Sequence, residues 1–259
     1  SMSIVRTAEQ QMLSDSLGRY LAEAFDFDAR SRALRSPAGR APAVWQGLAD
    51  LGVLGLPFAE ADGGYGGSAG DVAVVMEQCG RALLTEPCLA GVIETAALLA
   101  HAGNGPMRSQ IVPAIAAGRL FIPLAHQEIG ARWAVTDVAS RAVRTLDGWV
   151  LTGRKALVPH AATADAFLVS ARVSGARRDG EGIALFRVLP GVPGLAVNAF
   201  AAQDGTQVGD LVLDQVPVAA EECLCGPQEG AAALVAAHQA GIAAVAAEAV
   251  GLMAAAVEM

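Results

Sequence analysis

Aromatic side chains make up only 5% of the 259 residues and charged ones only 17%. The cations are outnumbered, 18 Lys and Arg against 26 Asp and Glu, for a formal net charge of −8. Gripping a nucleic-acid backbone takes clustered cations, so this balance excludes it as the main role. Lysine is the scarcest of all. Lys155 stands alone, every other cation is arginine, and the bias reads as compositional. Four cysteines, Cys79, Cys88, Cys223 and Cys225, are too few for a disulfide scaffold at this length. Cys223 and Cys225 lack companions for a zinc site, and His238 is too isolated to complete one, so no metal is expected. The absence of a charged-then-apolar leader points to a reducing cytoplasm. Ser1 ahead of Met2 reads as a tag scar.

What the chain has in plenty is apolar: 53% hydrophobic residues exclude wholesale disorder. The length suggests one or two domains at ~150 residues each. Three regions differ in period, and the expected fold class is α+β. Residues 2–118 read as a helical domain. Thr7 with Gln10 fits a capping box ahead of an apolar face of Leu13, Leu17, Tyr20, Leu21 and Ala24. Pro42 opens a short helix that carries Trp45, Leu48 and Ala49 and ends before Gly52. The glycines between Leu54 and Ser68 forbid a regular element, and Ser68 with Asp71 caps the next helix. Further helices run from Cys88 to Gly103 and from Pro106 to Gly118.

Residues 119–228 change character. FIPLAHQ, AFLVSARV, GIALFRVL and GDLVLDQV are short β-rich runs, separated by Asp-Gly and Pro-Gly turns. They predict a small central β-barrel or antiparallel sandwich. Residues 229–259 are helical again, as the first helix of a C-terminal bundle. His238, Gln239, Glu248 and Glu258 within this run argue for a soluble, buried helix over a membrane span. A helix of ~29 residues spans about 43 Å. It is apolar over too much of its surface to stand alone, and Met259 falls in mid-pattern. The expectation is a chain that is truncated or completed by another. Gly63–Gly67 lacks the context of a dinucleotide cradle and reads as a structural turn.

Six motifs, in order, carry a resemblance. DLGVLGLPFAEADGGYGG (Asp50–Gly67), MEQCGRALLTEP (Met76–Pro87), PAIAAGRL (Pro113–Leu120), LAHQEIGAR (Leu124–Arg132), GWVLTGRKALV (Gly148–Val158) and VAAEAVGLM (Val245–Met253) together resemble the acyl-CoA dehydrogenase family. The likeness leans toward its bacterial fatty-acid or steroid side-chain type. It implies an FAD enzyme that removes two hydrogens across Cα–Cβ of an acyl-CoA thioester. In that chemistry a carboxylate takes the α-proton, and hydrogen bonds to the developing enolate oxygen lower the barrier. Electron-transfer flavoprotein is the acceptor the resemblance implies. The implied assembly is a homodimer or homotetramer, or a heteromer, with part of the FAD site crossing between subunits.

Carried onto this sequence, the flavin would lie against Leu124, His126 and Gln127 on one strand and Leu157, Pro159 and His160 on another. Gln127 stands at the family's Thr; the alternatives are a flavin contact or a solvated strand end. Ile129 replaces the family's Pro. Arg132 and Trp133 replace its Gly-Ser, where they face substrate, or where Arg132 pairs with a phosphate or is a surface arginine. Pro159 has neither hydroxyl nor amide proton, so it cannot supply the hydrogen bond of the family's Thr. His160 either donates beside the flavin or is a satisfied strand-end side chain. The catalytic base is expected beyond Met259. An alternative position within the first C-terminal helix falls on Gly241, and Glu248, two turns on, is either a base or an interhelical carboxylate. Two other readings stay open: a non-catalytic partner subunit of a heteromeric dehydrogenase, and a flavin oxidase or monooxygenase on the same fold.

Overall fold

A computed structural model describes residues 6–258. Ser1, Met2 and Met259, on which the tag scar and the continuing helix were expected, lie outside the described residues. Helices α1 (Ala8–Ala24), α2 (Phe27–Arg35), α3 (Pro42–Asp50), α4 (Ala69–Arg81), α5 (Glu94–Leu99) and α6 (Gly105–Ala116) form the first layer. Both expected capping boxes are present, Thr7 with Gln10 and Ser68 with Asp71. Where one continuous helix was expected after Cys88, a π-helical stretch at Leu89–Ile93 leads into α5. Its wider winding has no counterpart in apolar spacing.

Strands β1 (Leu124–Ala125), β2 (Arg141–Arg144), β3 (Gly148–Pro159), β4 (Phe167–Arg172), β5 (Ile183–Val188), β6 (Leu195–Ala201), β7 (Gln207–Ala219) and β8 (Cys223–Cys225) follow. They make one eight-stranded sheet in the order β6-β7-β3-β2-β4-β5-β8, with β1 beside β4. The sheet curls over its own core, in which Leu151 and Leu211 meet Phe167 and Phe186. It does not close into the expected barrel, because β6 and β8 end the order without pairing to each other. Nor is it purely antiparallel: β1 and β2 both run parallel to β4. These pairings join segments far apart in sequence, so turn signals do not announce them.

Strand β4 is buried on both faces. Leu168 joins the helical core while Phe167 and Val169 join the sheet's own core. The two layers therefore share a wall. Within the helical layer, Glu86 is buried at the start of α3, accepting from Arg40 at 2.8 Å and from the Ala41 amide at 2.6 Å.

Helix α7 (Gly230–Glu258) packs along α4 and α5. The α4 crossing is a close backbone approach. A Cβ on Gly80 would meet the Glu248 carbonyl and one on Gly251 would meet the Glu77 carbonyl. Only a narrow stripe of α7 is covered, with Ala233, Leu234, Ala237, Gly241, Ala244 and Gly251 buried. Ile242, Val245, Val250 and Met253 remain exposed. Among the described residues, α7 is the one helix long and apolar enough to cross a membrane.

Candidate functional site

The β-rich sequence of β1 gives way at His126-Gln127-Glu128, and the strand ends beside an irregularity in β3. The ladder between β3 and β7 shifts register between Lys155 and Val158. Leu157 sits in the shift with φ 55°, a left-handed conformation that a leucine rarely takes. Two bonds hold it. The Leu157 amide donates to Asp210 Oδ1 at 3.0 Å, and the Ala156 amide donates to the Gln127 carbonyl at 2.8 Å. The second bond stitches the end of β1 to β3. Leu124, His126, Gln127, Leu157 and Pro159 thereby border one cavity of about 170 Å³. Glu94 of α5 and His238 of α7 complete its rim.

A polar cluster underlies this rim. Lys155 is fully buried, and its ammonium donates to Glu128 Oε1 at 2.6 Å and Ser170 Oγ at 3.0 Å. Glu128 also accepts from the amides of Ala139 and Ser140. Burial alone would raise the Glu128 carboxyl, but Lys155 and these donors hold it below the ordinary value. Burial lowers Lys155 to about 8, with Glu128 acting against the fall. His126 Nδ1 lies 2.8 Å from Ser170 Oγ, and burial with the nearby Lys155 drops the ring to about 3. His126 is therefore neutral at pH 7.

Glu94 differs from these groups. Among the described residues nothing hydrogen-bonds its carboxylate, and burial raises it to about 7. Its room comes from a glycine: a Cβ on Gly241 would fall 2.7 Å from Glu94 Oε1. Beyond Gly241, helices α5 and α7 line an apolar groove of about 240 Å³ with Ile93, Ala97, Ala240 and Ala244.

The remaining candidate residues lie apart from the cavity. His160 is buried with φ 47° and packs edge-on to Phe121, ring centroids 6.4 Å apart. Burial, and then Arg40, lower it to about 4. Arg132 is also left-handed and exposed, and its carbonyl accepts from Gln127 Nε2 at 3.2 Å. Trp133 is 87% exposed. Glu248 lies in a different hollow with Leu84, Thr85 and Asp204, half-buried and raised by that burial. Arg132, Leu157 and His160 are three of the five left-handed non-glycine residues described, so backbone strain concentrates around this edge of the sheet.

Three groups at the site went unread in the sequence. A lone Glu94 in an Ala-rich helix carries no motif. Lys155 passed as composition, although a single lysine in an otherwise Arg-only chain was the available signal. His238 was weighed as a metal ligand and as a polar break in an apolar helix, not as part of this cavity.

Leu124, Ala156, Leu157 and Pro159 give the cavity an apolar lining, to which Glu94, His126, Gln127 and His238 add polar groups. The model for the acyl-CoA dehydrogenase N-terminal domain matches residues 7–119, and that for its middle domain matches 124–216. The chain is 31% identical over 176 residues to acyl-CoA dehydrogenase FadE27 of Mycobacterium tuberculosis, covering 68% of this chain and 44% of that protein. It is 28% identical over 158 residues to (2S)-methylsuccinyl-CoA dehydrogenase of Cereibacter sphaeroides, covering 61% of this chain and 29% of that one. Among solved structures, the Tcur3481-Tcur3483 steroid ACAD G363A variant superposes with TM-score 0.83 at 28% identity, over 96% of this chain and 64% of that chain. The glutaryl-coenzyme A dehydrogenase glutaryl-CoA complex shares the fold with TM-score 0.87 at 24% identity, over 99% of this chain and 66% of that one. The chain spans between 29% and 50% of the length of three curated relatives.

Proposed function

The chain belongs to the acyl-CoA dehydrogenase family, and from that premise we propose that it serves an FAD-dependent α,β-dehydrogenation of an acyl-CoA thioester. The carrying observation is the shared cavity. Two separate sequence motifs, Leu124–Arg132 and Gly148–Val158, bring Leu124, His126, Gln127 and Leu157 to one wall, with Pro159 beside them. Bound FAD supplies the hydride acceptor, a chemistry that belongs to the cofactor.

The chain's own residues supply place and exclusion. Leu124, Leu157 and Pro159 offer a dry face to a ring. Gln127 offers an amide. The Lys155–Glu128 pair, buried behind, fixes the separation of the two strand ends. The apolar groove between α5 and α7 admits an acyl chain. Pro159 offers no donor to the ring, so any hydrogen bond there comes from elsewhere. Electron-transfer flavoprotein as acceptor and a cytoplasmic setting are part of the same proposal.

Anaerobic addition of acyl-CoA thioesters, straight-chain and ring-bearing, to the flavin-loaded protein tests it. Bleaching of the flavin's visible band by at least one thioester is expected. No bleaching by any of them contradicts the proposal.

The second reading is a partner subunit in a heteromeric dehydrogenase. The observation favouring it is the exposed apolar face of α7, with Ile242, Val245, Val250 and Met253 uncovered. Protein that is colourless alone and yellow only with a second polypeptide selects that reading.

A further inference from the structure

We propose that Ser170, with its oxygen claimed by Lys155, locks the His126 ring with its proton on Nε2, so that His126 meets the cavity as a hydrogen-bond donor to a carbonyl oxygen of the occupant. That the occupant is FAD or an acyl thioester rests on the dehydrogenase reading above. Strand register sets up the contact. β1 runs parallel to β4 with Ala125 opposite Val169, which brings His126 and Ser170 side by side. His126 Nδ1 lies 2.8 Å from Ser170 Oγ, and Lys155 reaches the same oxygen from β3 at 3.0 Å.

Lys155 decides who donates. An ammonium has three protons and no lone pair. All three are placed, on Glu128 Oε1 at 2.6 Å, on Ser170 Oγ at 3.0 Å and on the His126 carbonyl at 3.4 Å. Ser170 Oγ therefore accepts from Lys155, and its own proton needs a second acceptor. Among the described residues, His126 Nδ1 is the acceptor within reach. Ser170 is 0% exposed and Lys155 1%, so no group from outside this wall competes for that proton. A ring proton on Nδ1 would leave Ser170 facing two donors, with its hydroxyl proton buried and unpaired. The proton therefore sits on Nε2. A second ring proton is excluded at pH 7, because burial and then Lys155 lower the ring to about 3.

The Nε2 edge points away from the Ser170 contact. His126 lines the cavity, with Glu94 and His238 of the helical layer also on its rim. The Val135 carbonyl on the same rim favours a proton on the ring. Among the described residues no bond of ordinary length and angle engages Nε2, so the donor is open to an arriving oxygen. The flavin ring edge and the thioester both carry carbonyl oxygens. A neutral imidazole polarises such an oxygen without surrendering its proton. Lys155 and Ser170 act through His126 and are positioning residues.

Long-range 1H–15N correlation spectra of the ligand-free protein, labelled in histidine, read the tautomer directly. The His126 signals, identified by their loss in His126→Asn, are expected to show a bare Nδ1, a protonated Nε2 and no titration near neutral pH. Ser170→Ala is expected to move the Nδ1 resonance toward that of a ring nitrogen without a donor. A protonated Nδ1 in the parent, or an Nδ1 resonance unmoved in Ser170→Ala, overturns the lock.

Two titrations then test the donor and separate its sources: FAD into the ligand-free protein, and octanoyl-CoA or cyclohexanecarbonyl-CoA into the FAD-loaded protein. His126→Asn keeps an acceptor for Ser170 but has nothing at the Nε2 position. It is expected to weaken one of the two ligands ~5-fold, with the thermal midpoint kept. Weakening of FAD places the oxygen on the flavin, and weakening of the thioester alone places it there. His126→Gln, which carries an amide donor out to the Nε2 position, is expected to restore most of the affinity. Parental affinity of His126→Asn for both ligands overturns the donor role and leaves the dehydrogenase reading intact. A parent protein that binds neither FAD nor thioester removes that reading, and the donor role with it.

Discussion

The ammonium of Lys155 lies 2.6 Å from Glu128 Oε1, buried where β3 passes the end of β1. The pair joins two strand ends that also meet through the Ala156 amide and the Gln127 carbonyl. Replacing Lys155 with methionine leaves Glu128 as an uncompensated buried charge. We expect a loss of ~3–5 kcal/mol, read by urea denaturation. Lys155→Met with Glu128→Met removes both charges and recovers most of that loss. Equal destabilisation in the single and double variants contradicts this account of the pair.

Glu94 makes stability depend on pH with a definite sign. Its folded value is about 7 against an ordinary 4.5. Between those values the native state holds a proton that the unfolded state has lost. Stability therefore falls as pH rises through this window and levels off above it. In flavin-free protein, Glu94→Gln abolishes this part of the slope. Above pH 7 it gains up to about 3 kcal/mol over the parent, and the gain vanishes below the ordinary carboxyl value. Denaturation series across pH measure it, and parallel curves for the two proteins contradict it.

Leucine at position 157 holds a left-handed backbone at an energetic cost of ~1–2 kcal/mol. Glycine takes that conformation freely. Because the Leu157 side chain is 56% exposed, little burial is lost on its removal. Leu157→Gly is therefore expected to raise the thermal midpoint or leave it unchanged while weakening FAD binding several-fold, since a wall of the cavity goes with the side chain. Unchanged FAD affinity in a fluorescence titration removes Leu157 from the proposed site.

Pro159 pairs with Val208 in the β3·β7 ladder and lines the cavity without a donor. Pro159→Thr returns a hydroxyl and an amide proton to the rim. Tighter FAD binding, by several-fold in equilibrium titration, is the expected outcome. A proline that instead shapes the strand end gives weaker binding and a lower thermal midpoint.

The helical layer was readable because its signals are local. The capping boxes at Thr7 and Ser68, the stop at Gly52 and the long run of α7 all follow from neighbours a few residues apart. The parallel pairing of β1 with β4 was not, because Leu124 meets Leu168 across a long stretch of chain. At the site, motif spacing placed Leu124, His126, Gln127, Leu157 and Pro159 on one cavity. His160, with a left-handed backbone, lies outside that cavity and packs edge-on to Phe121. Glu94 escaped notice because its meaning lies in Gly241, a partner on another helix that only the folded chain brings near.

The most direct measurement is a difference electron-density map from crystals of this protein soaked with FAD. Density for the isoalloxazine ring against Leu124, Gln127, Leu157 and Pro159, with Glu94 across the cavity, is the result this account predicts. FAD seated elsewhere, or a map in which these side chains close on one another and no ring enters, contradicts it.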